Sequence, residues 1–400
     1  MSKSMKIIIH RYGSICEPDI IEAFQACNIT VIEDSAEIRL KSISSETRIR
    51  MLGELVLTHK PAFVFSINFF PYISEICERL GVLYVSLSVD CPVLELFSCS
   101  VKNKCNRIFL FDYMQYQKFY PENPEGIFYL PLAANTARWE KALSAVSEKE
   151  AGLYQCDVSF VGSLYKEKSP LSGLKLDDFV RGLADGIIEA QLGIPGCSVL
   201  EEAPTEALIS AVRKADSAFF RPKDSFTDTD SYVLSHYYLG MQASSLERIR
   251  TLAELGKEFS VNLYTRSDIA DLKDIPGICC RGGVSTHSEM PKVFRYSKIN
   301  LNITMRSIQS GLSQRIWDVL GCGGFLLTNY QSEIPEYFTI GEDLECYENL
   351  ADLKEKIAFY LAHDDVRNEI AQNGLKKTRE QHTYIHRVLQ IMRILFPQAV

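Results

Sequence analysis

Short apolar runs alternate with stretches of helical spacing along most of this chain. In the first third the runs fall at residues 6–10, 30–33, 62–67, 82–89, 107–111 and 127–130, and they are rich in β-branched and aromatic side chains. Each has the length of one buried strand. Between them, residues 19–26, 45–59 and 71–80 space their apolar positions by three and four, the pattern of a helix with one buried face. Ser45 is placed to cap the second of these helices and Gly81 to stop the third. Strands that alternate with helices pair in parallel and are wrapped by those helices.

The pattern lapses over residues 136–155, which are polar and charged and read as a linker. It resumes with strands at 157–162, 260–264, 277–281, 299–303, 325–328 and 344–347. Residues 170–215 are mainly helical, 231–255 form one long helix or a pair, and 288–296 and 312–320 form single helices. The chain finishes with helices at 350–363, 366–376 and 384–395. Four hundred residues exceed what one hydrophobic core usually carries. The expected architecture is therefore α/β with two tandem Rossmann-like domains, residues 1–135 and 156–383, facing across a cleft. Open α/β sheets bind ligands at the carboxyl ends of their strands.

Composition narrows the partners. The formal net charge is -8, with 46% hydrophobic and 24% charged residues and no basic block. Nucleic acid is not an expected partner. No apolar run is long enough for a transmembrane segment, and no signal-peptide pattern opens the chain, so a cytoplasmic protein is expected. Twelve cysteines are scattered without a CxxC pair, as befits reduced thiols in a core. HExxH and GxSxG motifs are absent too, so neither a metal centre nor a serine-hydrolase elbow is expected, and no cofactor.

The stretch 297–336 carries the chemistry: strand, glycine, short helix, glycine cluster, strand, acidic turn. Gly311 before a helix would leave backbone N–H groups open to a phosphate. Arg315 and Asp318, three apart, share one helix face; a guanidinium suits a diphosphate and a carboxylate suits ribose hydroxyls. An exposed surface pair is the plainer alternative. Gly321, Gly323 and Gly324 allow close backbone approach to a ligand, or simply end a helix. Asp90, after the fourth strand and before Cys91-Pro92, is either an acceptor base or an Asx turn. His10, ending the first strand, is either a general base or a packed strand end. Tyr113, Tyr116 and Tyr120 line an acceptor groove or, as their helical spacing favours, pack into a core.

On these residues, the segment from Ser297 to His386 resembles the C-terminal domain of the group 1, spore-maturation CgeB-like glycosyltransferases. The matching features are Asn300-Leu301-Asn302, Arg315-Ile316-Trp317-Asp318 and Gly321-Cys322-Gly323-Gly324-Phe325-Leu326-Leu327. Glu333, Phe338, Asp352-Leu353, His363, Ile370-Ala371, Gly374, His382-Thr383 and Arg387 continue the pattern. In the first half Lys60-Pro61, Asn68, Cys77, Gly81 and Val89-Asp90-Cys91-Pro92 are similar to the accompanying domain, and residues 157–162 to the strand opening the donor domain. Three positions depart from the family: Asp318 stands for a glutamate, Ser310 for the glutamate eight residues earlier, and Cys91 for a serine.

The resemblance implies a GT-B fold, with the nucleotide-sugar donor (a UDP-sugar favoured) held by the second domain and the acceptor by the first. It implies that the last helix, 384–400, packs back on the first domain. It implies a metal-independent hexosyltransferase acting on a protein hydroxyl, such as one of flagellin, or on a glycan. Its catalytic residues would be Asp90, His10 and Arg315. Its donor residues would be Gly162, Tyr264, Asn302, Thr304, Gly311, Arg315, Asp318, Gly321, Gly323 and Gly324. A silent nucleotide- or sugar-binding protein and a nucleotide-sugar epimerase are the alternatives on the same fold.

Overall fold

A computed structural model describes residues 5–40, 44–196, 198–220, 222 and 224–398. The chain divides into two compact units. The first comprises the chain through Ala133, the segment Pro222–Asp228 and everything from His382 on; the second is the rest.

The first unit is built on six strands: β1 (Lys6–His10), β2 (Thr30–Asp34), β3 (Phe63–Ile67), β4 (Leu83–Leu87), β5 (Asn106–Leu110) and β6 (Ile127–Tyr129). They lie in the order β2-β1-β3-β4-β5-β6, all parallel. Interior strands read as unbroken apolar runs because helices cover both faces, and β3 (FVFSI) is buried at every position. The order reverses direction between β1 and β3, which makes that pair the switch point where such sheets take ligands. Helix Tyr384–Leu395 packs on helix Glu17–Ala26 of the same unit. Tyr384, Val388 and Ile391 join a core with Ile7, Phe24 and Phe65. Buried Arg387 ties this helix down by donating from Nε to the carbonyls of Pro131 and Leu132, at 2.8 and 3.1 Å.

The second unit has β7 (Cys156–Val161), β8 (Val261–Tyr264), β9 (Ile278–Cys280), β10 (Ser297–Asn302), β11 (Leu326–Asn329) and β12 (Glu345–Tyr347). Their order is β12-β11-β10-β7-β8-β9, again all parallel. Read from β9, this is the dinucleotide-binding order 3-2-1-4-5-6, with the switch point between β7 and β10. The α/β fold of two Rossmann-like domains expected from the sequence is present.

One local reading is corrected, one segment joins the other unit, and one open alternative is decided. The stretch 136–155 is not a bare linker: helices Thr136–Ser144 and Glu148–Gly152 form there, capped by Asn135 and Ser147, and Trp139 is buried in the second unit. The segment Pro222–Asp228 returns to the first unit, where Phe226 packs on Phe97 with ring centroids 5.9 Å apart. The long helical region is continuous from Asp230 to Leu255, with a wider π-helical turn at Leu234–Leu239. No helix among the described residues is long and apolar enough to cross a membrane.

Candidate functional site

At the β7–β10 switch point of the second unit, an arginine spans the two strand ends. Arg248, from helix Gly240–Leu255, donates from NH1 to the Ser163 carbonyl just past β7 at 2.6 Å. Nε and NH2 donate to the Ile303 carbonyl just past β10, the Nε contact at 3.1 Å. Its guanidinium lies 4.4 Å from the Tyr165 ring centroid, and Tyr165 itself holds a left-handed φ of 61°. Three of five N–H donors are thus used to brace the crevice, leaving two for a ligand among the described residues. The sequence reading missed Arg248. Its signal was there: it sits on the stripe Ser244, Arg248, Leu252, Leu255, a charge among buried positions at helical spacing.

The helix after β10 runs Gln314–Gly321, three residues later than Gly311. Gly311 therefore does not abut the helix; its carbonyl instead accepts from Gln331 Nε2 at 3.3 Å. At the cap position, Ser313 carries a buried hydroxyl with no partner among the described residues. Arg315 donates from NH1 to Asp318 Oδ2 at 3.3 Å and sits 5.0 Å above the Phe294 ring. Burial pulls its guanidinium below the usual value; Asp318 opposes that, and the nearby charge of Arg248 adds to it. A second cation thus stands within electrostatic reach of the first.

Asp318 is 6% exposed, and its other oxygen accepts from Gln314 Nε2 at 2.9 Å. Burial raises its carboxyl pKa, against the pull of Arg315. The pair is therefore a half-buried internal one rather than an open surface pair.

The other expected donor residues fall into two groups. Asn302 and Thr304 are buried and satisfied: Asn302 Nδ2 donates to Thr304 Oγ1 and Thr328 Oγ1 at 3.0 and 2.9 Å, and Asn329 Oδ1 accepts from Thr304 N at 2.8 Å. They lock the carboxyl ends of β10 and β11. Gly162 follows β7 directly, and its N–H donates to the Tyr264 carbonyl at 3.1 Å. The Tyr264 side chain is buried, which raises its pKa; its hydroxyl is near Asn262 and Cys156, and Cys156 begins β7 at the opposite edge.

The glycine cluster is also at that opposite edge, because it precedes β11. There the close approach is made by the protein itself. A Cβ on Gly321 would lie 2.7 Å from Ala134, one on Gly323 2.6 Å from Arg295, and one on Gly324 2.4 Å from the Phe294 carbonyl. These glycines end a helix against packed neighbours; they do not admit a ligand.

The switch point of the first unit is built differently. Glu17, fully buried, accepts from the backbone N–H groups of Tyr12, Gly13 and Ser14 at 2.8, 3.0 and 3.0 Å and from Arg11 Nε at 3.1 Å. Such a nest of successive N–H groups is an anion site, and here the chain's own carboxylate fills it. Asn68, at a left-handed φ of 56°, donates to Tyr12 Oη at 3.0 Å and to exposed Asp90 Oδ2 at 2.7 Å. Burial and the Asp90 charge raise the Tyr12 hydroxyl pKa. Asp90 is thus an accessible carboxylate at the carboxyl edge, before a cis Cys91–Pro92 peptide.

His10 is wholly buried, with Nδ1 against Asp34 at 2.8 Å and Nε2 near Tyr72 Oη at 3.0 Å and Glu37 at 3.3 Å. Both ring nitrogens are engaged, so it is a packed strand end. Tyr113 and Tyr120 are exposed, with Tyr113, Tyr116 and Tyr129 in mutual ring contact, so the tyrosine row is a surface feature and not core.

No group of three or more His, Cys, Asp and Glu side chains among the described residues is arranged to hold a metal ion. The chain carries one D-x-D spacing, Asp228-Thr229-Asp230; in it Asp230 is paired with Arg213 at 2.8 Å.

Comparison with known proteins points in one direction. Residues 246–393 match the model of a family described as glycosyl transferase-like. A crystal structure of a glycosyltransferase from Rickettsia africae ESF-5 matches with a TM-score of 0.55 at 9% identity, covering 99% of this chain and 100% of that one. Anabaena Alr3699/HepE in complex with UDP matches with a TM-score of 0.52 at 9% identity, covering 97% and 99%. At such identity the likeness is one of fold, that of the GT-B glycosyltransferases. Over 103 residues the chain is 32% identical to an uncharacterized protein of Aquifex aeolicus (strain VF5); the match covers 25% of this chain and spans 26% of that relative.

Proposed function

We propose that this protein is a metal-independent, UDP-sugar-dependent glycosyltransferase of the CgeB-like branch, acting in the cytoplasm on a hydroxyl of a protein or glycan. The observation that carries the reading is Arg248, which spans the strand ends at the β7–β10 switch point of a dinucleotide-ordered sheet, with Arg315 of the following helix in its electrostatic reach. A diphosphate needs fixed positive charge and N–H donors. Two N–H groups of Arg248, the Arg315 guanidinium and the Ser313 hydroxyl supply them. The match of residues 246–393 to a glycosyl transferase-like family and the UDP-bound Anabaena neighbour support the same donor class.

In this reading the bond from the anomeric carbon to the diphosphate breaks, and its electrons leave with the diphosphate. Arginines already in place stabilise that charge without reorganising, which is where most of the rate enhancement arises. The acceptor oxygen forms the new bond and gives up its proton to a base. Asp90, exposed and positioned by Asn68, is that base in preference to the enclosed His10. Asp318 contributes to ribose binding through oxygen lone pairs not used by Gln314 and Arg315.

A second reading, a binding protein without transfer, is favoured by one observation: both Asp318 oxygens are engaged by its own helix. Incubating the purified protein with UDP-glucose and UDP-N-acetylglucosamine and following UDP release separates the two. Turnover is expected. UDP binding without release from any donor, with or without acceptor, would establish the second reading instead.

A further inference from the structure

The second unit contains a cavity of about 250 Å³ at the carboxyl ends of β11 and β12, on the far side of β10 from the Arg248 crevice. Asn329, the last residue of β11, and Tyr347, the last of β12, both line it. Tyr347 is 6% exposed, yet its buried hydroxyl has no hydrogen-bond partner among the described residues. Glu247, Arg306 and Arg248 lie within electrostatic reach of it, and the first two line the same cavity. Asn329 accepts the Thr304 N–H through its side-chain oxygen. The orphaned buried hydroxyl of Tyr347 calls for an explanation, and a ligand is one.

The wall's charge state selects the ligand class. Arg306 is neutralised by a two-pronged pair with Glu247, at 2.8 and 2.6 Å, and gives its remaining arm to the Ile194 carbonyl at 3.2 Å. Arg250 is likewise paired twice with Glu189, at 2.9 and 2.7 Å. Both arginines among the described residues lining the cavity are thus ion-paired, Arg250 in an exposed pair. Carboxylate oxygens accept from hydroxyls, while an amide and a phenol donate to them. Leu192, Leu350 and Tyr330 add apolar side chains to the lining. At about 250 Å³ the space is below the usual size of a drug-like ligand site. Alternating hydroxyl edges and C–H faces at that size describe a sugar ring.

We propose that this cavity binds one neutral monosaccharide, with the Tyr347 hydroxyl and the Asn329 amide hydrogen-bonded to its hydroxyls and Tyr330 along its C–H face. The site is separate from the donor crevice and does not depend on the donor reading.

Saturation-transfer NMR on the full chain tests this, using glucose, galactose and N-acetylglucosamine, with uridine and inorganic phosphate as alternative probes. At least one sugar saturates, and excess UDP does not displace it. Tyr347→Phe weakens that sugar about tenfold, the worth of one neutral hydrogen bond, and leaves the thermal midpoint unchanged because the hydroxyl has no protein partner to lose. Asn329→Asp, which keeps the acceptor for Thr304 and removes the amide donors, weakens it also. Binding of only uridine or phosphate, binding of no probe, or full sugar affinity in Tyr347→Phe would each overturn the proposal. Absence of UDP binding would count against the donor reading alone.

Discussion

The two switch points solve the same topological problem with opposite electrostatics. In the first unit the loop after β1 offers three successive N–H groups, and Glu17 from the chain itself occupies them. Beyond that nest stand a carboxylate, an amide and a phenol: Asp90, Asn68 and Tyr12. In the second unit the crevice is spanned by Arg248, with Arg315 in electrostatic reach and the Ser313 hydroxyl unpartnered among the described residues. One sheet has spent its anion site internally; the other keeps cationic donors in reserve. Sheet order alone would offer a nucleotide either site. The proposed function follows the charges, with the diphosphate in the second unit and a hydroxyl-bearing acceptor on the first.

The largest effect that would break this contrast is loss of the arginine that meets the leaving group. Arg315→Ala is expected to lower kcat by a factor on the order of 10²–10³. Full turnover in that variant would remove Arg315 from the reaction. Next is Glu17→Ala, which empties the nest of the first unit. Removing a buried, charge-paired carboxylate costs about 3 kcal/mol, read as a shift in the denaturation midpoint. Added phosphate should recover part of it, since an anion can then occupy the vacated N–H groups. No recovery would mean the nest is only a turn.

Asp90→Asn sharpens the contrast by separating the two roles. Turnover should fall about 10²-fold while UDP affinity stays as it was. A parallel fall in UDP affinity would contradict an acceptor-side role. The smallest effect is Arg248→Met, which leaves the Ser163 and Ile303 carbonyls without their charged donor. It should destabilise the protein by about 2 kcal/mol and weaken UDP binding. Destabilisation with unchanged UDP affinity would leave Arg248 a brace only.

How far these features could be read from the sequence depends on their physics. Interior strands such as β1, β3 and β4 lie where apolar runs lie, because strands covered on both faces need apolar sequence; edge strands such as β2 and β9 are more exposed and more polar or shorter. Arg315 and Asp318 were legible as one helix face, since spacing fixes that. What they touch was not. The glycines at 321, 323 and 324 permit close approach, but sequence does not say whether Trp139, Arg295 or a ligand makes it. Residues 136–155 look polar because the first short helix buries only Thr136 and Trp139 and the second buries no residue. Asn68 between Tyr12 and Asp90 depends on residues that meet only through the β1–β3 and β3–β4 pairing, whereas the Glu17 nest is local, closed on N–H groups three to five residues earlier. Arg248 carried a sequence signal that was passed over: a charge among buried positions is costly unless it is hydrogen-bonded, and here three of its five N–H groups are.

The claim that the second unit holds the nucleotide is tested most directly by backbone hydrogen exchange with and without saturating UDP. Slowed exchange is expected at 162–165 and 303–316, with no change at 12–14, 68 and 90. Protection confined to 12–14, or none in the second unit at saturation, would contradict it.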